Sequence, residues 1–211
     1  MLFGAYDGYV AATQLGLAYG MLTIMPSLDY TDPTAAVNFR DAGLFINLIV
    51  GQTLLPEQRL LRGGTVKWLQ DLAAIGHPRT IFCLQGTPDD PYPQVRNHHF
   101  PIPNGIEKYD TSTAEVRAWL RGIVRTVESG GLEFPLYVHC LSGRDRTGVV
   151  VAALLKICGA DDEHIVEEYQ LSMGADSPDP MRRALAGMRD LTTYFKGVDL
   201  DRVRSVLTGS A

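Results

Sequence analysis

The chain has 211 residues, enough for one domain with a substantial core, and its 45% hydrophobic and 20% charged content is that of a globular protein. A net charge of -5 argues against a general nucleic-acid binder, whose phosphate contacts need a basic face, but leaves room for a local anion site. Three cysteines, Cys83, Cys140 and Cys158, form no disulfide framework and fit a reducing, cytoplasmic setting.

Residues 8–28 carry no charge, which approaches the length of a membrane span. Gly8, Thr13, Gln14, Gly16, Gly20 and Ser27 dilute the stretch, and no Lys or Arg precedes it as a signal peptide would require. No stable membrane insertion is expected. Residues 1–36 read as an N-terminal extension packing on a domain that spans 37–211.

Phe45 to Val50 is a short apolar run that suits a strand. Arg59-Leu60-Leu61-Arg62 reads as another, closed by Gly63-Gly64. Thr65 looks like the N-cap of a helix carrying Trp68, Leu69, Leu72 and Ile75, with Gly76 as its stop. Trp68 and Trp119 read as core residues. Thr80 to Leu84 is a buried strand, Gly86 to Pro91 a loop, and His98 to Ile102 a short strand. His98 and His99 point to opposite faces of a strand, so they do not form a metal pair.

Ser112-x-x-Glu115 forms a capping box. Val116, Trp119, Leu120, Ile123, Val124 and Val127 then follow at helical spacing, and Gly130-Gly131 ends the helix. A strand, Leu136 to His139, leads into a polar loop and a helix that is apolar almost all round. Further helices are expected near 161–172, 179–195 and 199–207, with Glu167-Glu168-Tyr169 a helix surface bearing one buried aromatic. Strands alternating with helices indicate an α/β domain with a central, mostly parallel or mixed sheet flanked by helices. Its site belongs beyond the carboxyl ends of the strands.

The richest segment lies there: His139-Cys140-Leu141-Ser142-Gly143-Arg144-Asp145-Arg146-Thr147. A loop between a strand and a helix N-terminus offers unpaired N–H groups and the positive end of a helix dipole. The same field favours a thiolate at Cys140. A buried structural cysteine would not need Arg144 and Arg146 beside it.

His139-Cys140-x5-Arg146-Thr147 resembles the signature of cysteine-dependent protein tyrosine and dual-specificity phosphatases. Asn38-Phe39-Arg40-Asp41-Ala42-Gly43 and Arg59-Leu60-Leu61-Arg62-Gly63-Gly64 resemble two elements of a bacterial branch of that superfamily. The resemblance covers residues 37 to about 172 and implies a tyrosine-phosphatase-like fold. It also implies that Cys140 attacks phosphorus to give a phosphocysteine and that Arg146 binds two phosphoryl oxygens. The N–H groups from Leu141 to Arg146 hold the remaining oxygens. His139 orients the loop and keeps Cys140 ionised. Thr147 serves the sulfur. Arg144 offers a second positive contact. No metal or organic cofactor is implied.

The usual loop aspartate, roughly thirty residues before the cysteine, is missing: Asn104 stands in Phe100-Pro101-Ile102-Pro103-Asn104-Gly105 where it is expected. Asp145 inside the loop and Asp110 are the substitute proton donors, with Asp89, Asp90 or water behind them. Cys-x4-Asp-Arg-Thr is also similar to phosphoinositide phosphatase loops. A phosphorylated protein is thus the expected substrate, and a phosphoinositide the alternative. A phospho-binding pseudophosphatase is a remote third reading, and a rhodanese-type sulfurtransferase a more remote fourth. Cys83 reads as core packing or as a resolving thiol for Cys140.

Overall fold

The computed structural model describes residues 29–210, so the uncharged stretch 8–28 lies outside the described residues. Five strands form one sheet: β1 (Arg40–Asp41), β2 (Leu60–Gly63), β3 (Thr80–Cys83), β4 (Arg96–His99) and β5 (Leu136–His139). Their spatial order is β1-β2-β5-β3-β4, antiparallel only between β1 and β2. The expected mixed α/β architecture is the one observed.

Alternation along the strands splits their side chains between two cores. Leu60, Phe82, Leu136 and Val138 face the larger one, under the helices. Leu61, Ile81 and Tyr137 face the smaller one, with Val66 and Ile75. The helices are α1 (Ala42–Val50), α2 (Ala114–Glu128), α3 (Asp145–Ile157), α4 (Asp162–Gln170), α5 (Asp179–Gly187), α6 (Leu191–Tyr194) and α7 (Leu200–Thr208). Among them α3 is the central one. Val149, Val150, Val151, Leu154, Leu155 and Ile157 are all buried, each contributing about 1.5–3 kcal/mol of transfer free energy. Among the described residues no helix is long and apolar enough to cross a membrane.

Several local expectations fail for identifiable reasons. Phe45 to Val50 belongs to helix α1, not a strand. Asp41 caps it by accepting from the Gly43 and Leu44 N–H groups, and Gly51 closes it in the left-handed conformation. Residues 65–71 form turns, and only a short 3₁₀ turn, Leu72–Ile75, follows, capped by Asp71. Trp68 is therefore no core residue. It is 47% exposed, with the Lys67 ammonium over its ring. Trp119 packs against the core and donates Nε1–H to the Phe100 carbonyl at 2.9 Å.

Strand β4 begins two residues earlier than expected. The α2 cap is Thr113, whose hydroxyl accepts from the Val116 N–H, while Ser112 bonds Asp110 instead. The helix expected over 179–195 is two helices, because Asp190 caps a new start at α6.

Candidate active site

Strand β5 delivers Cys140 to the end of the sheet, and α3 starts at Asp145, so residues 140–144 form a loop between strand end and helix start. Three elements turn its carbonyls outward. Leu141 C=O accepts from Thr65 N–H at 3.0 Å, Ser142 C=O from Asn38 Nδ2 at 2.8 Å, and Gly143 C=O from Arg62 Nη2 at 2.9 Å. In a trans peptide the next N–H points the opposite way. The N–H groups of Ser142, Gly143 and Arg144 therefore face into the loop, where they make an anion cradle.

Two glycines allow this packing. Gly143 has φ +68°, and a Cβ there would sit 2.3 Å from the Gly63 carbonyl carbon. At Gly63 a Cβ would meet the Tyr137 hydroxyl at 2.4 Å, and that hydroxyl donates to Gly64 C=O at 2.7 Å. Gly143→Ala adds left-handed strain of roughly 1–2 kcal/mol to a backbone collision that no rotamer relieves. Turnover should fall ~100-fold as the cradle shifts by about an ångström, which steady-state kinetics would show.

The cradle is backed by a buried charge cluster. Glu168, 1% exposed, accepts from Arg40 Nε at 2.7 Å and from Arg62 Nη1 at 2.6 Å. The Ser172 hydroxyl accepts from both guanidiniums. Asn38 holds the loop and also accepts from Met173 N–H at 2.7 Å. The motif residues Asn38, Arg40 and Arg62 thus support the loop, and Glu168, expected on a helix surface, is buried. A signal existed: Arg62 interrupts an apolar strand, and a buried guanidinium requires a carboxylate partner.

Cys140 is 2% exposed. Burial pushes its thiol up, but hydrogen bonds from Thr147 side chain and backbone, the Arg146 charge and the Gly143 N–H outweigh that and bring it below the usual thiol range. Thr147 is fully buried, its hydroxyl has no other hydrogen-bond partner among the described residues, and it acts on the Cys140 sulfur. Arg146 donates Nη1–H to the Leu84 carbonyl at 2.8 Å.

Both substitute acids are held below the usual carboxylate range. Burial raises the Asp145 carboxyl, but bonds from Arg144 (3.0 and 3.2 Å) and from the Tyr109 hydroxyl (2.7 Å) overcome this and lower it. Tyr109 also bonds Tyr169 at 2.8 Å, and burial pushes its phenol far up. Asp110 is bonded to Ser112 and Arg183 and is lowered by both, Ser112 the more. Arg144 spends its guanidinium on Asp145 and on the Gly174 carbonyl at 2.8 Å. A cavity of about 270 Å³ beside them is lined by Tyr109, Arg144, Asp145, Tyr169, Asp176 and Ser177.

Cys83 lies opposite His139 in the parallel register. Their side chains thus share one face, while Cys140 belongs to the core on the other. This placement does not favour Cys83 as a resolving thiol. Burial pushes Cys158 up to about 12, as in an inert core thiol. The ligand atoms of Cys83, Asp89 and His139 lie within 4.8 Å of one another, the one cluster of metal-ligand types among the described residues, and the Asp89–His139 ion pair closes it.

A strand–loop–helix anion cradle around a lowered thiol, with an arginine six residues on, is a candidate phosphate site. The tyrosine phosphatase family model matches residues 32–206, and the chain belongs to that family. The dual specificity protein phosphatase TpbA of Pseudomonas aeruginosa is 30% identical over 83 residues, covering 39% of this chain and 34% of that protein. The match therefore spans about a third of the curated relative. The crystal structure of P. aeruginosa TpbA with phosphotyrosine covers 73% of this chain and 88% of its own, at 23% identity and a TM-score of 0.44. The catalytic core of Siw14, a PP-IP phosphatase from S. cerevisiae, covers 82% of this chain and 90% of its own, at 12% identity and a TM-score of 0.48.

Proposed function

We propose that this protein hydrolyses phosphate monoesters, with phosphotyrosine and related phosphorylated residues of proteins as its substrates. The observation that carries this reading is the loop whose three carbonyls are pinned outward around the Cys140 thiol. The Cys140 thiolate attacks phosphorus, an S–P bond forms, and the P–O bond to the leaving group breaks. Arg146 and the inward N–H groups stabilise the charge on the equatorial oxygens. Water then cleaves the phosphocysteine and regenerates the thiolate.

The lowered Asp145 is ionised near neutral pH, which opposes its expected part as acid and suits it to take a proton from the attacking water in the second step. An aryl leaving group departs without an acid. Asp145→Asn should therefore keep a full burst of phenol product and slow the steady state ~100-fold. A lost burst with unchanged decay would instead restore the acid role.

The phosphoinositide alternative rests on the likeness of Cys140-x4-Asp145-Arg146-Thr147 to phosphoinositide phosphatase loops, in which Arg144 would meet a second substrate charge. Its bonds to Asp145 and Gly174 weigh against that. Initial rates on a phosphotyrosine peptide and on phosphoinositide vesicles decide between them. Strong lipid turnover with negligible peptide turnover overturns the protein-phosphatase reading. Failure to turn over any aryl phosphate favours the pseudophosphatase instead.

A further inference from the structure

We propose that Asp89 is a positioning residue for the nucleophile: it holds His139 with both ring nitrogens protonated, and His139 in turn fixes the carbonyl of Cys140. The inference rests on Cys140 as the nucleophile of the function proposed above.

His139 is fully buried. Its Nε2 lies 2.7 Å from the Asp89 carboxylate, and its Nδ1 lies 3.4 Å from the Cys140 carbonyl oxygen. Both partners are acceptors. A neutral imidazole has one N–H, so only the imidazolium serves both.

The surroundings supply one anion for that cation. On its own strand His139 meets Tyr137, stacked at 5.4 Å with an 18° tilt, and the Cys140 peptide. From β3 it meets Cys83, and from β2 the register brings Gly63, which has no side chain. From the loop after β3 it meets Asp89, whose side chain is 6% exposed, with Tyr92 farther out. Burial alone would strip the proton from His139. The bond and charge of Asp89, aided by Cys83, outweigh this and raise it to about 9.

The same β3–β4 loop touches the far end of the motif. Leu84 N–H donates to His139 C=O at 2.9 Å, and Leu84 C=O accepts from Arg146. Asp89 thus belongs to a segment that holds the nucleophile and the phosphate-binding arginine together. Its positive neighbour also favours the thiolate.

The test starts without substrate. Ring ¹⁵N shifts of His139 should show an imidazolium at pH 7 in the wild type and a neutral ring in Asp89→Asn. In Asp89→Asn, kcat on an aryl phosphate should fall ~10–100-fold with KM little changed, because the loop is displaced and not removed. The pH midpoint of Cys140 alkylation by iodoacetamide should rise. Asp89→Glu should recover part of both.

Stability supplies a further readout. A raised His139 contributes stability that is complete below pH 6.5 and is lost as pH rises through about 9. Asp89→Asn should lose that slope in urea unfolding. A neutral His139 in the wild type at pH 7 overturns the proposal even if the variants fail to fold. So does Asp89→Asn with a neutral His139 but unchanged kcat and alkylation midpoint. The His139 titration is read without turnover, so it stands or falls separately from the phosphatase reading.

Discussion

In Cys140→Ser, hydrolysis of an aryl phosphate should fall by about 10⁴-fold or more, because the group that forms the covalent intermediate is gone. Phosphate binding should survive. The cradle is built from the N–H groups of Ser142, Gly143 and Arg144, aimed inward by Thr65, Asn38 and Arg62, none of which the substitution touches. Arg146 keeps its contact with Leu84.

Affinity should even increase. The lowered thiol favours the thiolate, which opposes an incoming dianion, and a neutral hydroxyl removes that repulsion. Calorimetric titration with tungstate or inorganic phosphate checks this against the wild type. Loss of oxyanion binding along with activity would show that the site is held by the thiolate and not by the loop. Acid quench of the wild type with a labelled aryl phosphate should trap a phosphocysteine that Cys140→Ser does not form.

Glu168→Gln should lower stability by about 3–5 kcal/mol, the cost of breaking a buried ion pair from one side. Arg62 is completely buried, and the carboxylate is its counter-charge at 2.6 Å. An amide presents one acceptor oxygen and no charge. Urea unfolding should show a lower midpoint with an unchanged slope.

Burial raises the Glu168 carboxyl, but the charges of Arg40 and Arg62 and their hydrogen bonds bring it below 4.5. A carboxyl lowered in the folded state contributes stability that is present above the unfolded pKa and lost as pH falls through the folded one. Wild-type stability should therefore decline below about pH 4.5, and Glu168→Gln should lack that component. Arg62→Lys separates support from catalysis. An ammonium keeps the charge opposite Glu168 but lacks the fork that spans both the carboxylate and Gly143 C=O. Its stability loss should be smaller than that of Glu168→Gln, while turnover still drops.

Much of this architecture is legible in the residues. The strands at Leu60, Thr80 and Leu136, the helix at Val116 to Val127 and the loop from Cys140 to Arg146 are carried by local signals. Period-2 and period-3.6 apolar patterns and a cysteine at a strand end need no distant partner to be read. The family signature adds the phosphate chemistry. Where local signals were ambiguous, reading by pattern failed. Phe45 to Val50 has no period that separates a buried strand from a helix, and the Asp41 cap decides it. Trp68 is apolar but lies among turns and stays 47% exposed.

The composition, the strands β2, β3 and β5, the helix α2 and the candidate nucleophile loop are legible in the sequence alone, because each rests on residues adjacent along the chain. The ion cluster of Arg40, Arg62 and Glu168 and the pairing of His139 with Asp89 were decided only by tertiary structure. The partners stand 50 to 128 positions apart, and only the sheet order and the packing of α4 bring them together. The lowered state of Asp145 is legible in part from the sequence, because the adjacent Arg144 contributes most to it, and the fold adds the Tyr109 hydroxyl from 36 positions away. The sum of its neighbours leaves it ionised, so its charge state follows from the folded site.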